Sequence, residues 1–208
     1  MKNLSEYRTA AREALRGNWC TSALYFFVGS MILMGISYLS GNGFEDSIFN
    51  PWHWGLNFVS ILLASPLIYG MFVGFLLLLR GKEMQIEMLF GGFVFRIWKT
   101  EILKNMYIAL WSLLLLVPGI VKNYSYSMTD YILLDNPDIS GNEAIERSME
   151  MMSGNKMRLF LLDLSFIGWG ILCIFTFGIG FYWLAPYVLT SHADFYEDLK
   201  LERTGGRW

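Results

Sequence analysis

Residues 58–79 read FVSILLASPLIYGMFVGFLLLL, an apolar run with no charged side chain. As a helix rising 1.5 Å per residue it is about 33 Å long, enough to cross a hydrocarbon core of ~30 Å. A second run of this kind lies upstream, from Trp19 to Leu39. Between the two, Ser40 to Asn57 carries Glu45, Asp46, Trp52, His53 and Trp54 and no Lys or Arg, which is the composition of an external loop with interfacial tryptophans. After the second run come Arg80, Lys82, Arg96, Lys99 and Lys104, marking a return to the cytoplasm. Fifteen of the sixteen basic residues lie outside or at the edges of the long apolar runs, and Lys122 is the exception.

The composition fits a bilayer. Of the 208 residues, 54% are hydrophobic and 17% aromatic, too apolar for an ordinary soluble domain of this size. The net charge is only −2, and the basic residues form short groups between apolar runs. That pattern excludes nucleic acid as the partner and points to anionic lipid headgroups on the cytoplasmic side. A protein partner or a homo-oligomer stays open. Cys20 and Cys173 sit inside apolar segments and read as buried small hydrophobes, not as a disulfide. Eighteen residues with six charges precede the first run, and no small-x-small site follows it, so the run is expected to be retained as a membrane helix.

Further along, Ile102 to Val121 ends at Pro118-Gly119 and leads into Lys122, Tyr124, Tyr126, Asp130 and then Tyr131 to Leu134. Leu159 to Trp183 is interrupted at Phe177-Gly178-Ile179-Gly180, which predicts two helices joined by a glycine turn. The predicted fold class is all-α, a polytopic transmembrane helix bundle in one integral-membrane domain. About six crossings are expected (19–39, 58–79, 102–121, 122–134, 159–176 and 179–196), with both termini cytoplasmic and Lys122 alone outside. The weak member is 122–134, because 13 residues are too few to span unless tilted, re-entrant or completed by neighbours. Two amphipathic helices are expected at the cytoplasmic surface. Residues 1–18 place Leu4, Tyr7, Ala11, Ala14 and Leu15 on one face and Arg8, Arg12 and Arg16 on another, suited to headgroups. Residues 140–154 open with the Ser140 and Glu143 capping box and stop at Gly154, presenting Ile145, Ser148, Met149 and Met152 for docking to the bundle or to a partner.

The segments Leu115 to Asn136 (LLVPGIVKNYSYSMTDYILLDN), Asn142 to Gly154 (NEAIERSMEMMSG), Arg158 to Trp169 (RLFLLDLSFIGW) and Phe195 to Leu199 (FYEDL), with the opening Arg12 to Trp19 (REALRGNW), resemble the bacterial integral-membrane family named domain of unknown function 975. The resemblance covers nearly the whole chain. It implies a multi-pass protein of the cytoplasmic membrane in a Gram-positive bacterium. A weaker likeness, through Pro118-Gly119 and Ala144 to Gly154, is to the membrane domains that accompany glycerophosphodiester phosphodiesterases, whose catalytic half has no counterpart here.

Ionisable residues inside membrane helices are costly and mark candidate sites. The candidates are Lys122, Tyr124, Tyr126, Asp130, Asp163, His192 and Asp194. In the six-crossing arrangement Asp130, Asp163 and Asp194 stand at similar depth near the cytoplasmic ends of three helices, as for a cation, proton or polar-solute site. The plain structural reading pairs Asp163 with Arg158 or Lys156 and leaves Asp194 in the wet interface. Lys122 then serves as an external anchor, with the tyrosines as an aromatic belt. Gly70 and Gly74 form a small-xxx-small motif for close helix approach, and Pro66 and Pro186 are expected to kink their helices. HExxH, GxSxG and P-loop motifs are absent, and no His or Cys pair has metal-ligand spacing. The sequence therefore calls for no cofactor and no metal. It favours a non-enzymatic transport or membrane-homeostasis role, with a scaffold acting through the amphipathic helices as the alternative and a lipid-processing enzyme last.

Overall fold

The computed structural model describes residues 2–39, 51–114 and 116–204, and among these it is all-helical. The helices are α1 (Leu4–Leu15), α2 (Trp19–Leu39), α3 (Pro51–Leu79), α4 (Phe95–Leu114), α5 (Leu116–Tyr126), α6 (Thr129–Asp135), α7 (Gly141–Met151), α8 (Lys156–Leu164), α9 (Ile167–Phe175) and α10 (Phe181–Thr204). A 3-10 segment, Ile86–Phe93, joins α3 to α4. Glu45 and Asp46 of the expected external loop, and Arg207, lie outside the described residues, whereas 51–57 extend α3 by two turns. Among the described residues, three stretches are long and apolar enough to cross a membrane: Trp19–Tyr38, Val59–Leu79 and Lys156–Phe175.

The exposed large apolar side chains divide the molecule. Leu24, Met31 and Met34 of α2, Val59, Ile61 and Leu63 of α3, and a continuous set from Ile167 to Trp183 face outward. No charged residue occurs between Asp163 and His192. At Thr176–Gly180 the chain reverses: Phe177 and Gly178 have φ of 53° and 84°, and the Phe177 ring is fully exposed at the turn. Further exposed apolar side chains lie on the 3-10 segment (Ile86, Phe90, Phe93) and on α4 and α5 (Met106, Leu110, Ile120, Val121). Leu67, Phe75 and Leu76 on the second half of α3 are buried with Tyr131 of α6 and Phe195 and Tyr196 of α10.

Two glycines let the 3-10 segment lie directly on α3. A Cβ on Gly70 would strike the Leu89 carbonyl, and one on Gly92 would strike the Pro66 carbonyl. Gly74 is closed off by the Tyr25 hydroxyl of α2, which donates to the Gly70 carbonyl at 2.9 Å. The small-xxx-small motif thus serves contacts within the chain. Pro66 and Pro186 are accommodated inside α3 and α10.

Both amphipathic helices turn their apolar faces into the protein. Tyr7, Ala11 and Leu15 are buried, with α1 lying along α10, so this face does not rest on headgroups. Arg8 and Arg12 stack over Phe166 and Tyr187. The Tyr7 hydroxyl donates to Asp198, Arg158 donates to the Tyr7 oxygen at 2.8 Å, and Lys2 Nζ is 2.6 Å from Asp194. In α7, Ser140 caps the Glu143 amide at 3.2 Å and Gly154 takes φ 80° just beyond the helix. Ala144, Ile145, Ser148 and Met152 are buried against α4, α5 and α6.

The packing of α7 bears on the expected topology. Helices α4 and α5 form an antiparallel hairpin in which Tyr107 meets Tyr126 and Trp111 meets Lys122, and Lys104 of α4 meets Asp130 of α6. Beside it, Ser148 donates to the Ser125 carbonyl at 2.8 Å, and Met149 Sδ is 3.8 Å from Lys122 Nζ. Lys122 and α7 therefore stand side by side. The stretch 122–134 is broken in the middle, into α5 and α6. Glu146 and Glu150 are exposed on α7, and Met106, Leu110, Ile120 and Val121 are exposed on the hairpin. Cys20 is also exposed, against the expectation of a buried residue, while Cys173 is buried.

An ion network ties the end of α3 to α6 and α10. Arg80 holds Asp135 through both carboxylate oxygens at 2.6 and 2.8 Å, and Glu197 at 2.5 Å. Lys200 and Tyr196 reach Asp135 at 2.6 and 2.8 Å. Burial alone would raise the Asp135 pKa, but hydrogen bonds from Arg80, Lys200 and Tyr196 outweigh it and hold the carboxyl at about 2. A depressed carboxylate stabilises the fold above its unfolded pKa of about 3.9, and that contribution disappears as pH falls through about 2. Asp135→Asn should therefore cost about 1–2 kcal/mol at pH 7, after allowance for solvent screening. Thermal unfolding curves of the two proteins should converge as the pH is lowered from 4 to 2, and a gap constant with pH would contradict the assignment.

Candidate functional site

A cavity of about 280 Å³ opens between α3, α4, α5, α6, α8 and α10. Two polar groups occupy its walls. On the first, Lys104 Nζ is 2.8 Å from Glu101 Oε1 and 2.6 Å from Asp130 Oδ1. Glu101 and Lys104 are one turn apart on α4 and so share a face, while Asp130 comes from the first turn of α6. Glu101 is 2% exposed and Asp130 4%. On the second wall Tyr124 donates to Asp163 Oδ2 at 2.8 Å, and His192 Nε2 lies 2.5 Å from Asp163 Oδ1. Asp163 is the more open carboxylate, its side chain 31% exposed. Ile68, Phe72, Ile108 and Leu159 supply the apolar lining.

The backbone explains why these groups converge. Helix α5 ends where Ser127 and Thr129 turn their hydroxyls back onto the Tyr124 and Tyr126 carbonyls, at 2.9 and 2.8 Å. Such bonds compete with the helical ladder and favour a break. The break swings α6 so that Asp130 faces Lys104 while Tyr124, a turn and a half earlier, faces α8. Helix α8 ends just after Asp163, where the Ser165 amide caps the Leu161 and Leu162 carbonyls at 3.0 and 3.1 Å.

Five of the seven sequence candidates border this cavity: Tyr124, Tyr126, Asp130, Asp163 and His192. Two do not. Asp194 turns to the opposite side of α10, buried and paired with Lys2, and so is not in the wet interface. Lys122 lies on the outer side of the hairpin, its ammonium 4.9 Å from the Trp111 ring and 5.9 Å from that of Tyr126. The common depth of three aspartates is thus reduced to two, Asp130 and Asp163. Asp163 pairs with His192 and Tyr124 and not with Arg158, which is taken by Tyr7 and Asp198. The tyrosines are not a lipid-facing belt, since Tyr126 is buried and Tyr124 half-buried.

Glu101 and Lys104 escape a reading by hydropathy because they stand at the edge of an apolar run, where a charge reads as a topological mark. Their opposite signs at three-residue spacing are the one signal of a shared role. Chemically the site can hold a small polar solute between two hydrogen-bonding walls. Its polar groups are the carboxyls of Glu101, Asp130 and Asp163, the Lys104 ammonium and the His192 imidazole.

Residues 113–203 match the model of a family described as protein of unknown function (DUF975). The matched stretch contains α5 to α9 and nearly all of α10, and so every cavity side chain except those from α3 and α4. The opening Arg12–Trp19 lies outside it. No curated protein and no solved structure matches the chain.

Proposed function

We propose, for a chain whose residues 113–203 carry the DUF975 family sequence, that it is a multi-pass membrane protein that binds a small polar solute in this cavity, as a transporter or transport component. The observation that carries the reading is the cavity itself: six helices place Glu101, Lys104, Asp130, Tyr124, Asp163 and His192 around one open space. A structural core would fill that volume with side chains, since interiors pack to crystal density.

The proposed topology has four crossings, by α2, by the first half of α3, by α8–α9, and by the apolar start of α10 returning from the Phe177 turn. The α4–α5 hairpin stays on the side of α1 and α7. This arrangement puts the fifteen Lys and Arg residues among the described residues on one side, Lys122 included, which satisfies the positive-inside rule without an exception. That side is the cytoplasm of a bacterial cell, and both ends of the chain lie there. Burial of Ala144, Ile145 and Ser148 on α7 favours this reading over a scaffold acting through that face.

Single cysteines in a Cys20→Ala, Cys173→Ala background test both parts. A cysteine at Gly43 should label from outside intact cells, and one at Lys122 only after permeabilisation. Labelling of Lys122→Cys from outside would return the topology to six crossings. Ser127→Cys, on the cavity wall, should react with a small charged thiol reagent in solubilised protein. No reaction there, as a sealed core would give, would end the solute-binding reading.

A further inference from the structure

We infer that the cavity takes a small primary-ammonium compound with an apolar body, an inference that rests on the solute-binding reading above. The first wall sets two carboxylates, Glu101 and Asp130, against the single ammonium of Lys104. The second presents Asp163 with a phenol and an imidazole and no Lys or Arg. Three carboxyl groups, Glu101, Asp130 and Asp163, thus line the cavity against the one ammonium of Lys104. No guanidinium lines it, so the bidentate clamp that carboxylate and phosphate ligands favour is missing. An anion is thereby disfavoured and a cation favoured.

Size and lining separate organic from inorganic cations. At about 280 Å³ the space is several times the ~30 Å³ that one water occupies, far more than a bare ion fills. Among the described residues no group of three or more His, Cys, Asp and Glu is placed to hold a metal ion. Ile68, Phe72, Ile108 and Leu159 offer a surface that a hydrated ion would leave unused and a hydrocarbon body would cover. The protein also contains its own precedent. Lys104 is an ammonium on an apolar stem, held by two carboxylates at 2.6 and 2.8 Å in the same cavity. The ligand's ammonium is assigned to Asp163, the carboxylate that is open to approach, with its body along α3 and α4.

The test is calorimetric titration of the full chain in detergent with three probes of one shape: 2-phenylethylamine, 2-phenylethanol and 3-phenylpropanoate. The amine should bind, the alcohol and the carboxylate at least tenfold more weakly, and Asp163→Asn should lower amine affinity about tenfold. Ile108→Trp fills the cavity without altering a charge and should abolish binding, which separates loss of the site from loss of the fold when both variants elute as the wild type does. Equal binding of the alcohol, or tighter binding of the carboxylate, overturns the ammonium assignment and leaves the solute-binding reading standing. Amine binding that survives Ile108→Trp places the amine elsewhere and overturns the inference. Failure of all three probes overturns the inference, while Ser127→Cys reactivity still decides the solute-binding reading separately.

Discussion

Lys104→Met should lower the apparent unfolding temperature by roughly 10 °C in detergent, and Lys104→Met combined with Glu101→Gln and Asp130→Asn should recover most of the loss. The single substitution keeps the stem and removes the charge, leaving Glu101 and Asp130 buried, adjacent and uncompensated. Removing one partner of a buried ion pair costs about 3–5 kcal/mol, because a charge is left without either water or counter-charge. For a chain of this length 1 kcal/mol corresponds to about 2–4 °C. Neutralising the two acids removes the repulsion and the stranded charge together, so the triple variant should be far closer to wild type than additive losses allow. A triple variant as unstable as the single one would mean that Lys104 acts through packing of its stem. Unfolding curves followed by fluorescence at fixed scan rate suffice, since apparent values for such proteins depend on rate.

The second large effect is expected at Gly70. Gly70→Val would drive its Cβ and two methyls into the backbone of Leu89, not into a flexible side chain. Backbone cannot rotate away, so the 3-10 segment must lift off α3, and the Tyr25 hydroxyl would lose its close approach to the Gly70 carbonyl. Overpacking typically costs 1–3 kcal/mol, and a backbone obstacle belongs at or above the upper end. Gly91→Val two residues from Leu89 is the control, because a Cβ there meets nothing within 4 Å. Unfolding temperature should fall by about 6–12 °C for Gly70→Val and by much less for Gly91→Val. Equal losses would mean that the cost lies in backbone preference and not in the contact with Leu89.

Much of the architecture is legible in the residues themselves. The charge-free run 58–79 and the run 19–39 become α3 and α2, the Gly178–Gly180 break becomes a turn, and Ser140 and Gly154 bound a helix as their capping chemistry requires. What misleads is the assumption that the stripe of residues 1–18 lies on headgroups. Periodicity reports that a face avoids water, not what covers it, and α1 is covered by protein, while α7 docks on the bundle, one of the two places its apolar face suits. The break at Ser127 is visible only as a cluster of hydroxyls, yet it decides which wall Asp130 joins. Asp130 and Asp163 are findable as polar residues in apolar surroundings. Their partners Glu101 and Lys104 are not, since a charge at a helix edge has a sufficient explanation without a site.

The clasp of α1 on α10 also bears on how the chain is made. Tyr7 and Asp198 are 191 positions apart, and Lys2 and Asp194 are 192. At 5–20 residues per second, α1 waits roughly 10–40 s for partners that are synthesised last. Of the helices that α1 touches, α3 is made early in that interval and α10 only at its end. The clasp therefore closes after every other helix has been made, and the joining of the first helix to the last is left to the end of synthesis.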